Sequence, residues 1–191
     1  MSSDVGPVPG WVVPVELAVR DCLIAAYQVY DVADDTAAGG AFAAVNWVLR
    51  PATQPGPATD RTEAPSWEIA RGESWAALCA AAGQEEPTGW DWYRLGASPR
   101  PTRIVDPAWC YGAWRALSWL LGVRPDPPVE LPDRDADGAV VPGSQRYVAR
   151  PDRDRPAWQD AQRARRGRET GEALRHWRHI RELADRTRTA G

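Results

Sequence analysis

Several residue types that often carry catalysis or cross-linking are scarce in this chain of 191 residues. It contains only three cysteines and two histidines, and it has no lysine, since all 23 basic residues are arginine. It also lacks a Cys-x-x-Cys pair, a His-Glu-x-x-His motif, a phosphate-cradling glycine loop and a nucleophile elbow. The enzyme classes that depend on these motifs have no support, so the sequence favours a non-catalytic role.

Long hydrophobic runs are missing as well. No stretch of about 18 apolar residues is present to form a transmembrane helix, and residues 1–11 lack the basic start and apolar core of a signal peptide. At 43% hydrophobic residues the chain can still build one ordinary domain with a core. We therefore expect a soluble, cytoplasmic protein that has no membrane partner.

The three cysteines are Cys22, Cys79 and Cys110, which lie far apart, each inside an apolar helical pattern. A free cysteine behaves as a small hydrophobic residue, so we expect three buried thiols. The alternative is a zinc site completed by His176 or His179, but the paired cysteine spacing of such sites is absent.

Tryptophan and arginine are over-represented. Eleven of the 17 aromatic residues are tryptophan, and arginine replaces lysine throughout. Together with abundant alanine, glycine and proline, this is typical of a GC-rich genome. The arginine usage therefore says little by itself about phosphate binding.

The position of charge is more informative than the net charge of −3. Residues 1–145 contain 10 arginines and 19 acids, a balance of −9, whereas residues 146–191 contain 13 arginines and 7 acids, a balance of +6. An acidic body with a basic tail indicates either a tail that folds back on the body or one that binds an external polyanion.

The clearest predicted element is a helix from Asp106 to Gly122. Asp106 is a suitable N-cap, Pro107 fits the first helical position, and Gly122 fits the left-handed position after the helix. Apolar residues cover nearly the whole surface, which is typical of a helix buried on several sides. Arg115 is the only charged residue inside it, and its guanidinium is expected to lie on the ring of Trp119.

The remaining pattern predicts a mainly α protein. Three helices are expected before the central one, from Pro14 to about Tyr30, from a cap at Asp34, Asp35 or Thr36 to about Leu49, and from Ser66 to Gly83. Small residues favour close packing between the first two. Residues 50–65 are rich in proline and are expected to form an extended strap over the surface.

The predicted organisation is therefore a small multi-helix bundle followed by a connector and a long basic helix. Residues 1–13 form a flexible N-terminus, 14–122 the helical core, 123–155 a Pro/Asp-rich connector, and 156–191 the Arg-rich C-terminal helix. Within the connector, residues 139–149 are expected to form a short β-hairpin about a Pro-Gly turn.

The C-terminal helix is the first functional candidate. A stripe with Trp177 and Ile180 suits contact with a protein partner or self-association, and the arginines suit phosphate binding by a nucleic-acid accessory protein. The residues proposed for either contact are Arg163, Arg165, Arg166, Arg168, Arg175, Arg178 and Trp177. Interspersed acids weaken the phosphate hypothesis, so a protein-interaction module ranks first.

A second candidate is an aromatic cluster. Trp90, Trp92 and Tyr93 surround Asp91, and together with Trp114 of the central helix they are candidates to line the pocket of a small-molecule binder or an enzyme. The alternative is that these rings close one end of the bundle.

Two acidic clusters are candidate metal sites. Asp133, Asp135 and Asp137, followed by Gly138, resemble the first half of an EF-hand calcium loop, but Ser144 occupies the position of the bidentate glutamate. A solvated Asp-Gly turn is the alternative.

The other acidic cluster consists of Asp31, Asp34 and Asp35. It resembles the magnesium-binding edge of terpene synthases, in a chain too short for that fold. Capping of the second helix explains the same residues.

Overall fold

The computed structural model describes residues 6–83, 86–104, 106–144 and 155–189. These contain six α-helices: α1 (Glu16–Ala33), α2 (Thr36–Leu49), α3 (Trp67–Ala81), α4 (Gly89–Leu95), α5 (Pro107–Leu120) and α6 (Arg155–Thr189). The chain divides into two compact units, Met1–Arg150 and Pro151–Gly191. The predicted mainly α class is confirmed.

Helix α5 is the centre of the first unit, and every residue from Cys110 to Leu120 is buried. It packs against both α2 and α3. The Asp106 carboxylate accepts hydrogen bonds from the amides of Ala108 (2.8 Å) and Trp109 (2.9 Å). Gly122 has a φ of 74°, so both ends of the predicted helix are confirmed.

Two glycines let α2 and α5 cross in backbone contact. A Cβ atom on Gly112 would lie 1.7 Å from the carbonyl oxygen of Ala37, and one on Gly40 would lie 1.9 Å from that of Trp109. Helix α1 also packs on α2. The small residues of α2 therefore serve its contact with α5 as well as the expected contact with α1.

Candidate functional site

Most of the arginines singled out on α6 are exposed. Arg163, Arg165, Arg168, Arg175 and Arg178 are exposed, whereas Arg166 and Trp177 are half-buried. Two of the exposed arginines already have acidic neighbours on the same helix: Arg165 donates to Glu169 at 2.8 Å, and Arg163 lies 3.8 Å from Asp160. The basic character of α6 is therefore partly neutralised along its own length.

Two large apolar side chains are exposed near the end of α6. Ile180 is 37% exposed and Leu183 is 47% exposed. At 100° per residue Ile180 continues the stripe of Ala173 and Trp177, and Leu183, three residues further on, lies 60° from Ile180 on the side of His176. Helix α6 therefore presents two neighbouring apolar contact points on an otherwise polar surface.

The aromatic cluster of α4 divides between the interior and the solvent. Trp92 is 2% exposed and packs over Gly72 of α3, whereas Tyr93 is 82% exposed. Trp90 is half-buried with the Arg94 guanidinium 4.7 Å from its ring centre. Thr88 and Asp91 form a capping box that begins this short helix.

Trp114, the fourth proposed pocket residue, has other surroundings. It is buried on α5, its ring centre lies 5.9 Å from that of Tyr111, and the Arg124 guanidinium lies 5.2 Å from it. The four rings are therefore placed in different environments, and a pocket that they share stays a prediction.

The expected stacking of Arg115 on Trp119 stays a prediction, and Arg115 also binds the connector that follows α5. Its guanidinium donates to the carbonyl oxygens of Pro127 (3.1 Å) and Pro128 (3.4 Å). The one charged residue inside the central helix therefore binds two carbonyl oxygens of the Pro-rich connector, a segment whose prolines have no N–H for a regular helix or strand.

The acidic loop of the EF-hand resemblance folds as a tight turn. The Asp135 carboxylate accepts from the amides of Asp137 (3.0 Å) and Ala139 (2.9 Å), and Arg134 and Val140 form an isolated antiparallel bridge. Residues 139–141 thus pair with residues 133–135 in antiparallel orientation. The expected hairpin over 139–149 extends into residues 145–149, which lie outside the described residues.

The carboxylates of this loop do not form a ligand cluster. Across the described ranges of the chain, no group of three or more His, Cys, Asp or Glu side chains is arranged to hold a metal ion. Asp133, Asp135 and Asp137 therefore lack the convergence that the resemblance implied. The neighbouring Arg134 instead holds Asp21 of α1 in a bidentate pair, at 2.8 and 2.5 Å.

The acidic residues between α1 and α2 act as caps. Asp34 ends α1 in the left-handed conformation, with a φ of 51°. Asp35 accepts from the amides of Ala37 (2.9 Å) and Ala38 (3.2 Å) and so begins α2. The capping interpretation of this cluster is confirmed.

The three cysteines are buried and free, as predicted. Burial raises the pKa of the Cys79 and Cys110 thiols to about 12, and it also raises the pKa of Cys22. A thiol that stays protonated is a poor nucleophile and a poor metal ligand, so these residues act as part of the core.

A buried ion pair that was not expected from the sequence joins the segment 50–65 to α3. Arg61 Nε donates to Glu73 Oε1 at 2.8 Å, and both side chains are fully buried. The other oxygen of Glu73 accepts from the amides of Ala58 (2.9 Å) and Thr59 (3.2 Å), and the Thr59 hydroxyl donates to Oε1. Both oxygens of the Glu73 carboxylate therefore accept their hydrogen bonds from this segment.

The same segment is buried where it crosses the body, in contrast to the predicted surface strap. Residues 56–59 are buried, and Arg61 also donates to the carbonyl of Ser98 at 3.2 Å with its guanidinium 5.4 Å from the Trp92 ring. One signal was available in the sequence, because Glu73 interrupts the apolar positions Ala70 and Ala77 on the inner side of α3.

No described helix combines the length and the apolar content that crossing a membrane requires. No model of a known protein family, no curated protein and no solved structure matches this chain.

Proposed function

We propose that this protein is a non-catalytic interaction module that contacts a protein partner through α6. The observation that supports this is the surface of α6, a 35-residue helix that exposes Ile180 and Leu183 among charged residues. A helix that is polar over most of its surface gains little from its own contacts, since each ion pair between neighbouring turns contributes about 0.3–0.5 kcal/mol. A partner that covers these apolar side chains would stabilise it.

The charge of α6 indicates what kind of protein surface would fit. Residues 155–189 contain 10 arginines and 5 acids, a balance of +5. A guanidinium matches the geometry of a carboxylate, so an acidic partner surface would be recognised through paired hydrogen bonds. Long-range attraction between opposite charges would also raise the rate of association, in a manner that added salt reduces.

A nucleic-acid accessory role is the second candidate, and the exposed arginines of α6 favour it. At 100° per residue, however, Arg165 lies at least 140° around the helix from Arg163 and Arg178. Glu169 pairs with Arg165, and Glu172 lies on the same side. Phosphate binding gains from a surface of one sign, so this mixture of charges favours a protein partner.

The decisive experiment places a photo-crosslinking residue at Leu183 of the full chain and irradiates it in an extract of the source organism. A matched chain carries the same residue at Tyr93, which is more exposed but belongs to the other unit. We expect a discrete protein adduct from position 183 that is absent from position 93.

The charge requirement is tested in the same assay. Arg175→Glu with Arg178→Glu should reduce the adduct severalfold, whereas Arg100→Glu with Arg103→Glu, two exposed arginines of the first unit, should not. Equal adducts at positions 183 and 93 would reject the proposal. Salt-sensitive binding of labelled duplex or single-stranded oligonucleotides that needs Arg175 and Arg178 would support the nucleic-acid role instead.

A further inference from the structure

One side of helix α1 is exposed among the residues that the structure describes. Its inner side packs on α2, and Asp21 beside the open side is held by Arg134. The open side carries Leu17 (45% exposed), Ile24 (53%) and Tyr27 (39%). Exposed apolar side chains aligned on one helix are typical of a contact surface rather than of solvent-facing positions.

The spacing of this open side is that of a helix that pairs with another helix. The positions are 17, 20, 24, 27 and 31, with steps of three and four residues, as at the seam of a two-helix coiled coil. Arg20 and Asp31 occupy the two polar positions of the seam, one on each side of Ile24 and Tyr27. The Tyr27 ring lies 5.4 Å from that of Phe42 on α2, which holds it in place as an anchor.

We propose that this side of α1 binds the same side of α1 in a second copy of the chain, in antiparallel orientation. A two-fold axis placed between Ala25 and Ala26 sets Ile24 against Tyr27 of the second copy. The same axis sets Arg20 against Asp31, and by symmetry each of these contacts occurs twice. A single axis therefore matches both the apolar and the charged pairs.

The charges also select this orientation over the parallel one. Two parallel helices would place Arg20 on Arg20 and Asp31 on Asp31, and like charges in contact oppose association. Arg20 now donates to Glu16 at 2.9 and 2.6 Å, but an exposed pair of this kind contributes little. Its guanidinium has further N–H groups for Asp31 of the second copy.

The expected strength follows from the size of the contact. Helix α1 has 18 residues and is about 27 Å long. One pair of helices of this length buries no more than the ~1,200 Å² at the low end of specific interfaces, so we expect a dissociation constant in the micromolar range. This inference concerns α1 alone and is independent of the function proposed for α6.

Sedimentation equilibrium of the full chain, from about 1 to about 200 µM, tests the inference. The mass should rise from that of the 21.0 kDa chain towards twice that value. Arg20→Asp and Asp31→Arg should each weaken association at least about tenfold, because each places two like-charge contacts in the interface. The double variant should restore it to within about threefold of wild type, because it re-forms the pairs with their signs exchanged.

A matched pair elsewhere serves as the control. Glu63 and Arg100 form an exposed pair at 2.6 Å in the same unit, so Arg100→Asp should leave the association unchanged. Circular dichroism of each variant checks that the helices are retained. A wild-type chain that remains a monomer throughout the range, or a double variant that associates no better than the single ones, would overturn the proposal.

Discussion

The crossing of α2 and α5 can be tested with one added methyl group, by the substitution Gly112→Ala. The ideal Cβ would lie 1.7 Å from the oxygen of Ala37, 2.6 Å from its carbonyl carbon and 3.0 Å from its Cα. All three atoms belong to the backbone of α2, so no side chain can rotate away. A carbon and a carbonyl oxygen are ordinarily at least about 3.3 Å apart, and the two helices would therefore have to separate by roughly 1.5 Å.

Two opposing effects set the expected magnitude. Alanine favours a helix over glycine by about 1 kcal/mol. Overpacking of a close-packed core costs about 1–3 kcal/mol, and more where the backbone must move. Because this separation would disturb the buried surface of both helices, we expect a net loss of about 2–4 kcal/mol from a typical total of about 5–15 kcal/mol.

Urea unfolding of the full chain, followed by tryptophan fluorescence and circular dichroism, measures this loss. Gly40→Ala should behave like Gly112→Ala, since its Cβ would lie 1.9 Å from the oxygen of Trp109. Gly89→Ala is the control, because Gly89 is also helical and has no atom within 4 Å of the added position. If Gly112→Ala unfolded at the same urea concentration as Gly89→Ala, the two helices would not cross as described.

Three further predictions concern the interior and the helix ends. Glu73→Gln should lower the free energy of unfolding by about 3–5 kcal/mol, because it leaves Arg61 buried without its counter-charge. Glu63→Gln, at an exposed pair, should lower it by less than about 1 kcal/mol. Equal urea midpoints for the two variants would contradict the prediction. Asp106→Ala should lower the free energy of unfolding by about 1 kcal/mol, because two cap hydrogen bonds are lost. Asp106→Asn, which can still accept both hydrogen bonds, should unfold at nearly the urea concentration of the wild type. The free energy of unfolding should also fall as the pH rises above the ordinary thiol pKa of 9.0, by about 1 kcal/mol per thiol at pH 10. The reason is that burial keeps the folded Cys79 and Cys110 thiols protonated to about pH 12, whereas the thiols of the unfolded chain ionise. A free energy of unfolding that stays constant between pH 8 and 10 under reducing conditions would refute this prediction.

Helix ends were the features best predicted from sequence. Asp35, Ser66 and Asp106 each cap the helix that follows, with their side chains on amides two or three residues ahead. These contacts are local, so the residues that make them are neighbours in the sequence whatever the fold. The proline at the start of α5 and the left-handed glycine after it are predictable for the same reason.

The burial of the aromatic side chains of α4 was not predictable in this way. Trp92 and Tyr93 are adjacent in sequence, yet one is buried against Gly72 and the other faces the solvent. Which of them points inward depends on the position of α3, which lies about 20 residues earlier in the chain. A cluster of aromatic residues in sequence is therefore weak evidence of a shared pocket.

The sequence by itself determined the helical class of this protein, most of its helix ends, its buried thiols and its division into an acidic and a basic part. These properties depend on composition, on the spacing of apolar residues along each helix and on contacts within about four residues, so they can be predicted before the arrangement of the helices is known. Only the tertiary structure decided that Arg61 pairs with Glu73, that Gly40 and Gly112 lie at a helix crossing, and that Ile24 remains uncovered. Each of these depends on which helix faces meet, and that is set by packing between residues far apart in the chain.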